Sequence, residues 1–256
     1  MVAISETATP HAALITGAAR RIGAAIAQGL SRAGYAVVLH ANHSRGEADE
    51  LADRIKHDGG RATVVLGDLA DAQALRGIVP AAAAVGPLTL LVNNASLFDE
   101  DDVTSMTREG FERTMAVNLT APLFLAQAFA AQAPRAARSS IVNIVDQRVL
   151  RPTPKFFSYA LSKASLHAAT TTLAQALAPL RVNAVAPGPT LPSPRQNGEQ
   201  FAAQAALVPL GRGPSPEDVA AAVVYLAGAE SVTGMTIAVD GGQHLSWRTP
   251  DADVPE

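Results

Sequence analysis

A chain of 256 residues with 48% hydrophobic content has material for a sizeable core, and its length admits one large α/β domain or two small ones. A formal net charge of −3, with no block of like charges, offers no surface for nucleic acid or for an anionic membrane and leaves small molecules as the default partners. The lack of cysteine removes disulfides, thiolate metal sites and a cysteine nucleophile together, and fits a reducing, cytoplasmic compartment.

The first residues, MVAISETATPHA, have no basic start and no long apolar run, so no secretory signal is read, and no stretch reads as a membrane span. Apolar runs then recur along the chain: AALIT, AVVLH, ATVVLG, LTLLVN, SSIVNIV, RVNAVA and TIAVDGG, with segments of helical composition between them. Near-continuous apolar strands are what a parallel sheet covered on both faces requires. The pattern predicts a single doubly wound Rossmann domain over residues 1–247, with seven parallel strands and helices on both faces, and a polar, Pro-bearing flexible tail at 248–256.

The first strand runs into TGAARRIGAAIAQGL, where Gly17 and Gly23 frame a tight turn that carries Arg20, Arg21 and Ile22 and opens a helix. Unpaired amides and the helix dipole at such a turn suit a pyrophosphate, although a glycine-bearing connection can be only a connection, and the two arginines can be ordinary solvated charge. The second strand ends on His40 and continues as Asn42, His43, Ser44 and Arg45. An acid at this place would accept from a free ribose 2′-hydroxyl; donors and cations in its stead suit a 2′-phosphate, and so NADP(H). After the third strand, Asp68 and Leu69 lie at the edge where ligands of such folds bind, and after the fourth come Asn94, Ala95 and Ser96. Asp68 can take an adenine amino group and Asn94 to Ser96 can line a ribose, but Asp and Asn also favour turns for local reasons. Phe98, next along, is one of few aromatics in a chain with a 4% aromatic share.

The fifth strand ends on Asp146, and Tyr159 and Lys163 stand one helical turn apart shortly after it, on one face of the expected helix. A neighbouring ammonium favours the phenolate, which would bring Tyr159 toward a useful range for proton transfer. Taken alone, such a pair more often means an amphipathic helix with a solvated lysine. Pro187 and Gly188 close the sixth strand, and the segment from Thr190 to Leu207 is expected to form a substrate lid.

The set TGAARRIG, NNAS, Asn118 within MAVNLTAP, Tyr159-Ala-Leu-Ser-Lys163, PGP at Pro187 to Pro189 and VDGG at Val239 to Gly242 resembles the short-chain dehydrogenase/reductase family over essentially the entire chain. The resemblance implies NADP(H) held by the turn residues named above and by Tyr159 and Lys163. It implies Tyr159 as the catalytic acid, Lys163 as the residue that orients the ribose and tunes Tyr159, and Asn118 as the anchor of a proton-relaying water. It also implies a homotetramer, built with the helices that carry Asn118 and Tyr159. Two positions depart from the usual pattern: Asp146 stands where most members have serine, and Arg21 where the glycine loop has its middle glycine. Both departures are similar to the pteridine reductases, a branch in which an aspartate helps to protonate the pterin, the loop arginine reaches cofactor phosphate and substrate, and an aromatic after NNAS stacks on the pterin. Here these are Asp146, Arg21 and Phe98, and Ser96 and Tyr159 complete the expected substrate contacts.

Chemically, a flat heterocycle needs an aromatic face and a proton delivered to nitrogen, and a carboxyl kept neutral by burial can deliver it. Asp146 can instead be a structural carboxylate and Phe98 a loop aromatic packed on the core. The expected activity is NADPH-dependent reduction of a pterin or dihydrofolate-like substrate. The alternatives are an NADPH-dependent reductase of a ketone or 3-oxoacyl thioester, and a non-catalytic NADP(H)-sensing regulator. No metal is expected.

Overall fold

The structure, a computed structural model, describes residues 11–134 and 139–246. The expected tail at 248–256, and the ends of the domain expected over 1–247, lie outside the described residues. All seven anticipated strands form: β1 Ala12–Ile15, β2 Ala36–Ala41, β3 Arg61–Leu66, β4 Leu88–Asn93, β5 Ser140–Ile144, β6 Arg181–Pro187 and β7 Thr236–Val239. They make one parallel sheet in the order β3-β2-β1-β4-β5-β6-β7. The order reverses between β1 and β4, and at such a switch point the loops diverge and leave a crevice at the carboxyl edge.

Helices cover both faces. They are α1 Arg21–Arg32, α2 Arg45–His57, α3 Ala72–Ala83, α4 Arg108–Met115, α5 Ala121–Gln132, α6 Phe157–Ala176, α7 Gly198–Ala206 and α8 Pro216–Gly228. One apolar layer packs α1, α2 and α8 on the sheet, through Ile26, Leu30, Leu51, Val223 and Leu226. The other sets α3, α5 and α6 on the opposite face, through Ile78, Leu125, Phe129 and Ala174. Strands β1, β2, β4, β5 and β6 are buried at every residue, which explains why they read in the sequence as apolar runs without alternation.

A π-helical turn, Ala116–Thr120, joins α4 to α5 into one continuous helical run. That run, Arg108–Gln132, is long and apolar enough to cross a membrane by length and composition, where the sequence was read as holding no such stretch. Here Leu125, Ala126 and Phe129 lie in the core beside Leu88 and Leu91 of β4, the place of a core helix in a two-sided α/β sheet.

Two polar links tie the carboxyl edge together. Asn93 Nδ2 donates to Asn143 Oδ1 at 2.9 Å, and Asn143 Nδ2 to Thr170 Oγ1 at 3.0 Å, so β4, β5 and α6 share one buried chain of hydrogen bonds. Asp101, in the loop after β4, caps α6 by accepting from the Ser158 backbone amide at 3.1 Å and from the Ser158 hydroxyl. The loop that carries Phe98 and the helix that carries Tyr159 are therefore fixed to each other.

Candidate active site

The glycine turn after β1 shows why glycine is required there. Gly17 has φ +62°, and a Cβ on it would lie 2.9 Å from Ala95 Cα; a Cβ on Gly23 would overlap the Gly17 carbonyl oxygen and lie 2.7 Å from Asn94 Nδ2. Asn94 is used in this packing, donating to the carbonyls of Thr16 at 2.8 Å and Gly17 at 3.1 Å, while Thr16 Oγ1 accepts from the amides of Asn94 and Ala95. Ser96 beside them is exposed, as is Arg20, whose guanidinium lies 3.8 Å from Glu47; Ile22 packs against the core below.

Arg21 adopts φ 55°, the left-handed region that a side chain occupies at a cost of about 1–3 kcal/mol. Its guanidinium spans the crevice and donates to Pro192 O at 2.9 Å, so the glycine loop holds the segment expected to be a lid. That segment contains α7, a helix with a capping box at Asn197 and Gln200. Pro187 ends β6, and Gly188 sits against Asp240, where a Cβ would come within 2.7 Å of the backbone.

The residues after β2 divide by role. His40 is buried, with Nε2 donating to Gly67 O at 3.0 Å and Nδ1 accepting from the Gly17 amide at 3.3 Å, and burial lowers its pKa, so it stays a neutral strut beneath the glycine turn. This corrects the expectation that His40 itself meets the cofactor: both ring nitrogens are occupied by backbone. Asn42 bonds the carboxylate of Asp68, which is held below the usual range first by the Ala70 amide and further by Arg113. Leu69 is buried and supports this turn. His43 and Arg45 are exposed, and Ser44 stands at the N-cap of α2 with its hydroxyl unused in capping. The start of a thirteen-residue helix, a spare hydroxyl and two basic side chains fit a phosphate monoester.

Asp146 stands two residues past the end of β5, as the N-cap of a 3₁₀ turn at Gln147–Val149, and accepts from three donors. They are the Arg148 amide at 2.8 Å, the Arg148 guanidinium at 3.2 Å and the Tyr159 hydroxyl at 2.8 Å. Arg148 therefore turns inward, and the carboxyl expected to be kept neutral by burial has a cation and an amide on its two oxygens instead. It is an anchored carboxylate that holds the tyrosine.

Tyr159, 7% exposed, is pushed well above the ordinary tyrosine range by burial and then by the Asp146 charge. Lys163, 2% exposed, donates to Ile144 O at 2.8 Å and is pushed down to about 8, again by burial. The expected phenolate is thus not formed: desolvation, with the Asp146 charge, outweighs the opposing Arg148 cation, and Tyr159 is a neutral phenol, suited to give a proton. Asn118, fully buried in the π-helical turn, accepts from the Leu97 amide at 2.8 Å and donates to Leu97 O and to Ser162 Oγ. Its amide is spent on positioning the loop before Phe98, and its side chain makes no bond to Lys163.

Phe98 is stacked on Phe156 with ring centroids 4.4 Å apart and meets Tyr159 edge-on at 4.6 Å. The aromatic face is thus built from two rings rather than from Phe98 alone. Arg148 and Arg195 stand beside the pair, with guanidinium carbons 5.4 and 5.1 Å from the Phe98 centroid. Arg195, from the lid, donates to Phe98 O at 2.9 Å. Reading the sequence alone missed Phe156 and Arg195. The aromatic pair in KFFSY was a signal, whereas nothing near Arg195 in the chain marks its reach. Among the described residues no cluster of side chains could hold a metal ion.

A family model described as Enoyl-(Acyl carrier protein) reductase matches residues 17–244. The NADP complex of FolM alternative dihydrofolate reductase 1 from Brucella canis superposes with a TM-score of 0.92 at 48% identity, covering 95% of this chain and 98% of that one. Galactitol 2-dehydrogenase of Agrobacterium fabrum is 34% identical over 253 residues, 91% of this chain and 97% of its own length. L-rhamnose 1-dehydrogenase (NAD(P)(+)) of Sphingomonas sp. is 34% identical over 243 residues, 91% of this chain and 96% of its own.

The buried ammonium has a measurable signature in stability. With Lys163 near 8 in the folded chain and 10.5 unfolded, the unfolded state binds more protons between these values, so Lys163 makes stability rise with pH there. Below about 8 the full cost of the buried charge is present. The difference in unfolding free energy between wild type and Lys163→Met is expected to move in favour of wild type from pH 7.5 to 9.5, as read from urea titrations. A difference that does not change with pH would place the lysine in contact with water.

Proposed function

This chain belongs to the short-chain dehydrogenase/reductase family, and on that premise we propose that it is an NADPH-dependent reductase of a pterin or dihydrofolate-like substrate. The observation that carries this reading is the Tyr159–Asp146–Arg148 chain beside the Phe98–Phe156 stack. A C=N bond in a flat heterocycle takes a hydride at carbon and a proton at nitrogen. NADPH supplies the hydride when bound. Tyr159 holds the proton at its hydroxyl, protonated over the working range by burial and by the Asp146 charge. Asp146 fixes the direction of that hydroxyl by accepting from it at 2.8 Å. Arg148 offsets the negative charge that remains, and the aromatic pair offers the ring a face to stack on. Lys163, held at Ile144 O, is placed to bond a ribose of the cofactor and to restore the tyrosine's proton. The support from outside the chain is the likeness at 48% identity to a protein described as an alternative dihydrofolate reductase, crystallised with NADP.

A second reading has its own support: a neutral phenol serves a carbonyl oxygen equally well, and the sugar-alcohol and sugar dehydrogenases above share the fold. The serine variant separates the two. NADPH oxidation measured side by side with dihydrobiopterin, dihydrofolate and an acetoacetyl thioester is expected to favour the pterins, and Asp146→Ser to lower pterin kcat/KM on the order of 10²-fold while sparing ketone reduction. Unchanged pterin activity in Asp146→Ser would make the carboxylate structural and favour carbonyl reduction. Tight cofactor binding without turnover of any of the three would favour a cofactor sensor.

The cofactor part of the proposal rests on the start of α2. Replacing His43, Ser44 and Arg45 together by alanine is expected to raise KM for NADPH about tenfold or more and leave NADH nearly unaffected, since only a 2′-phosphate uses those donors. Equal loss with both cofactors, or equal kcat/KM for NADPH and NADH in the wild type, would contradict it.

A further inference from the structure

The start of α2, the proposed seat of the 2′-phosphate, has three carboxylates near it that would repel one. Each is answered by an arginine. Glu47 lies 3.8 Å from Arg20 of the glycine turn, Asp49 lies 3.4 Å from Arg45, and Asp68 Oδ2 accepts from the Arg113 guanidinium at 3.2 Å. The first two arginines already belong to the phosphate seat and its neighbouring turn. Arg113 does not: it comes from α4, 45 residues beyond Asp68 in the chain.

The Asp68 carboxylate is needed where it stands. Its Oδ1 accepts from the Ala70 amide at 2.9 Å and so closes the turn after β3, and Asn42 bonds it from the end of β2. These bonds, the Ala70 amide first, hold Asp68 below the usual carboxylate range, so its charge is present at neutral pH. The Gly67 amide donates to Ala41 O at 3.1 Å, which keeps the ends of β2 and β3 side by side. Asn42 precedes Ser44 by two residues, so the carboxylate lies on the order of 10 Å from the start of α2, about one Debye length at moderate salt. At that range an unanswered carboxylate opposes a dianionic phosphate. Arg113 supplies the cation that answers it. Arg108 of the same helix does something different, pairing with Glu112 of α4 itself.

We propose that Arg113 determines specificity for NADPH by acting through Asp68: it answers that carboxylate and so lets a 2′-phosphate sit at the start of α2. The proposal rests on the reading of that helix start as the phosphate seat. It goes beyond that reading by assigning part of the cofactor preference to α4, a helix that carries none of the phosphate donors. Arg113 is thus a positioning residue for charge rather than a contact of the phosphate. A 2′-hydroxyl is uncharged, so NADH is indifferent to whether Asp68 is answered. The effect of Arg113 is therefore a difference between the two cofactors, and it is screened by salt.

The test uses two probes that differ by the 2′-phosphate alone, adenosine 2′,5′-bisphosphate and adenosine 5′-phosphate, in titration calorimetry on the whole chain. At low salt Arg113→Ala is expected to weaken binding of the bisphosphate about three- to tenfold and of the monophosphate less than about twofold. In about 0.5 M KCl most of that difference should vanish. Arg113→Lys should recover most of the loss, because a point charge suffices. In an Asp68→Asn background, where no carboxylate charge needs an answer, Arg113→Ala should cost the bisphosphate less than about twofold. Arg108→Ala, which removes a cation from the same helix, should leave the ratio of the two affinities unchanged. Equal loss of both probes in Arg113→Ala, loss of neither, the full loss persisting beside Asp68→Asn, or the same loss in Arg108→Ala would each overturn the inference and leave the phosphate seat intact. A wild type with no preference for the bisphosphate would overturn it together with the reading of the α2 start, so the two failures are told apart.

Discussion

The Asp146 carboxylate, held by two donors from Arg148 and one from Tyr159, is the interaction on which the site depends. It joins the turn after β5 to the first turn of α6, and through Arg148 it reaches the aromatic pair. A serine at this place would offer one hydroxyl to Tyr159 and could not recruit the guanidinium. The arginine is therefore a consequence of the carboxylate: a cation 3.2 Å from Oδ2, in a half-buried setting, is what makes a retained negative charge tolerable beside a buried phenol.

Burial then sets the proton states of the two residues on α6. One environment raises the tyrosine and lowers the lysine, because desolvation disfavours whichever form is charged. The outcome is a proton held on Tyr159 beside an ammonium that can lose its own near neutral pH. That division suits reduction, where the tyrosine must give a proton at the moment the hydride arrives. The positioning around it is done by groups that never meet the reacting atoms. Asn118 grips the Leu97 backbone, Asp101 caps α6, and the Asn93–Asn143–Thr170 chain sets the two strands against the helix. Arg21 and Arg195 close the crevice from above by bonding the lid to the glycine loop and to the Phe98 loop.

Strand identity was legible because five of the seven strands are buried at every residue and so are rich in Ala, Val, Leu and Ile without alternation, with only isolated polar residues such as Asn93 and Asn143. The edge residues Asp146, Tyr159 and Lys163 were legible because polar groups interrupt that pattern at strand ends and at a helical spacing. Direction and charge state were less so. His40 looked like a ligand contact because it ends a strand, but the backbone amide of Gly17 and the carbonyl of Gly67 claim both its nitrogens, and those partners lie 23 and 27 residues away. Arg148 could point either way in the sequence, and only the fold decides that it faces Asp146. The proton states also needed three dimensions, since the Tyr159 and Lys163 spacing predicts their proximity but neither the desolvation of both groups nor the Asp146 charge beside the phenol.

The central claim is that hydride goes to the carbon of a C=N bond while Tyr159, held by Asp146, protonates the nitrogen. The most direct measurement uses NADPH deuterated at both C4 positions, with dihydrofolate as acceptor, and reads the product by NMR. The account predicts one deuterium on the ring carbon of the reduced C=N bond. Deuterium absent from the pterin, with transfer seen only to the carbonyl carbon of a ketone or thioester, would contradict it.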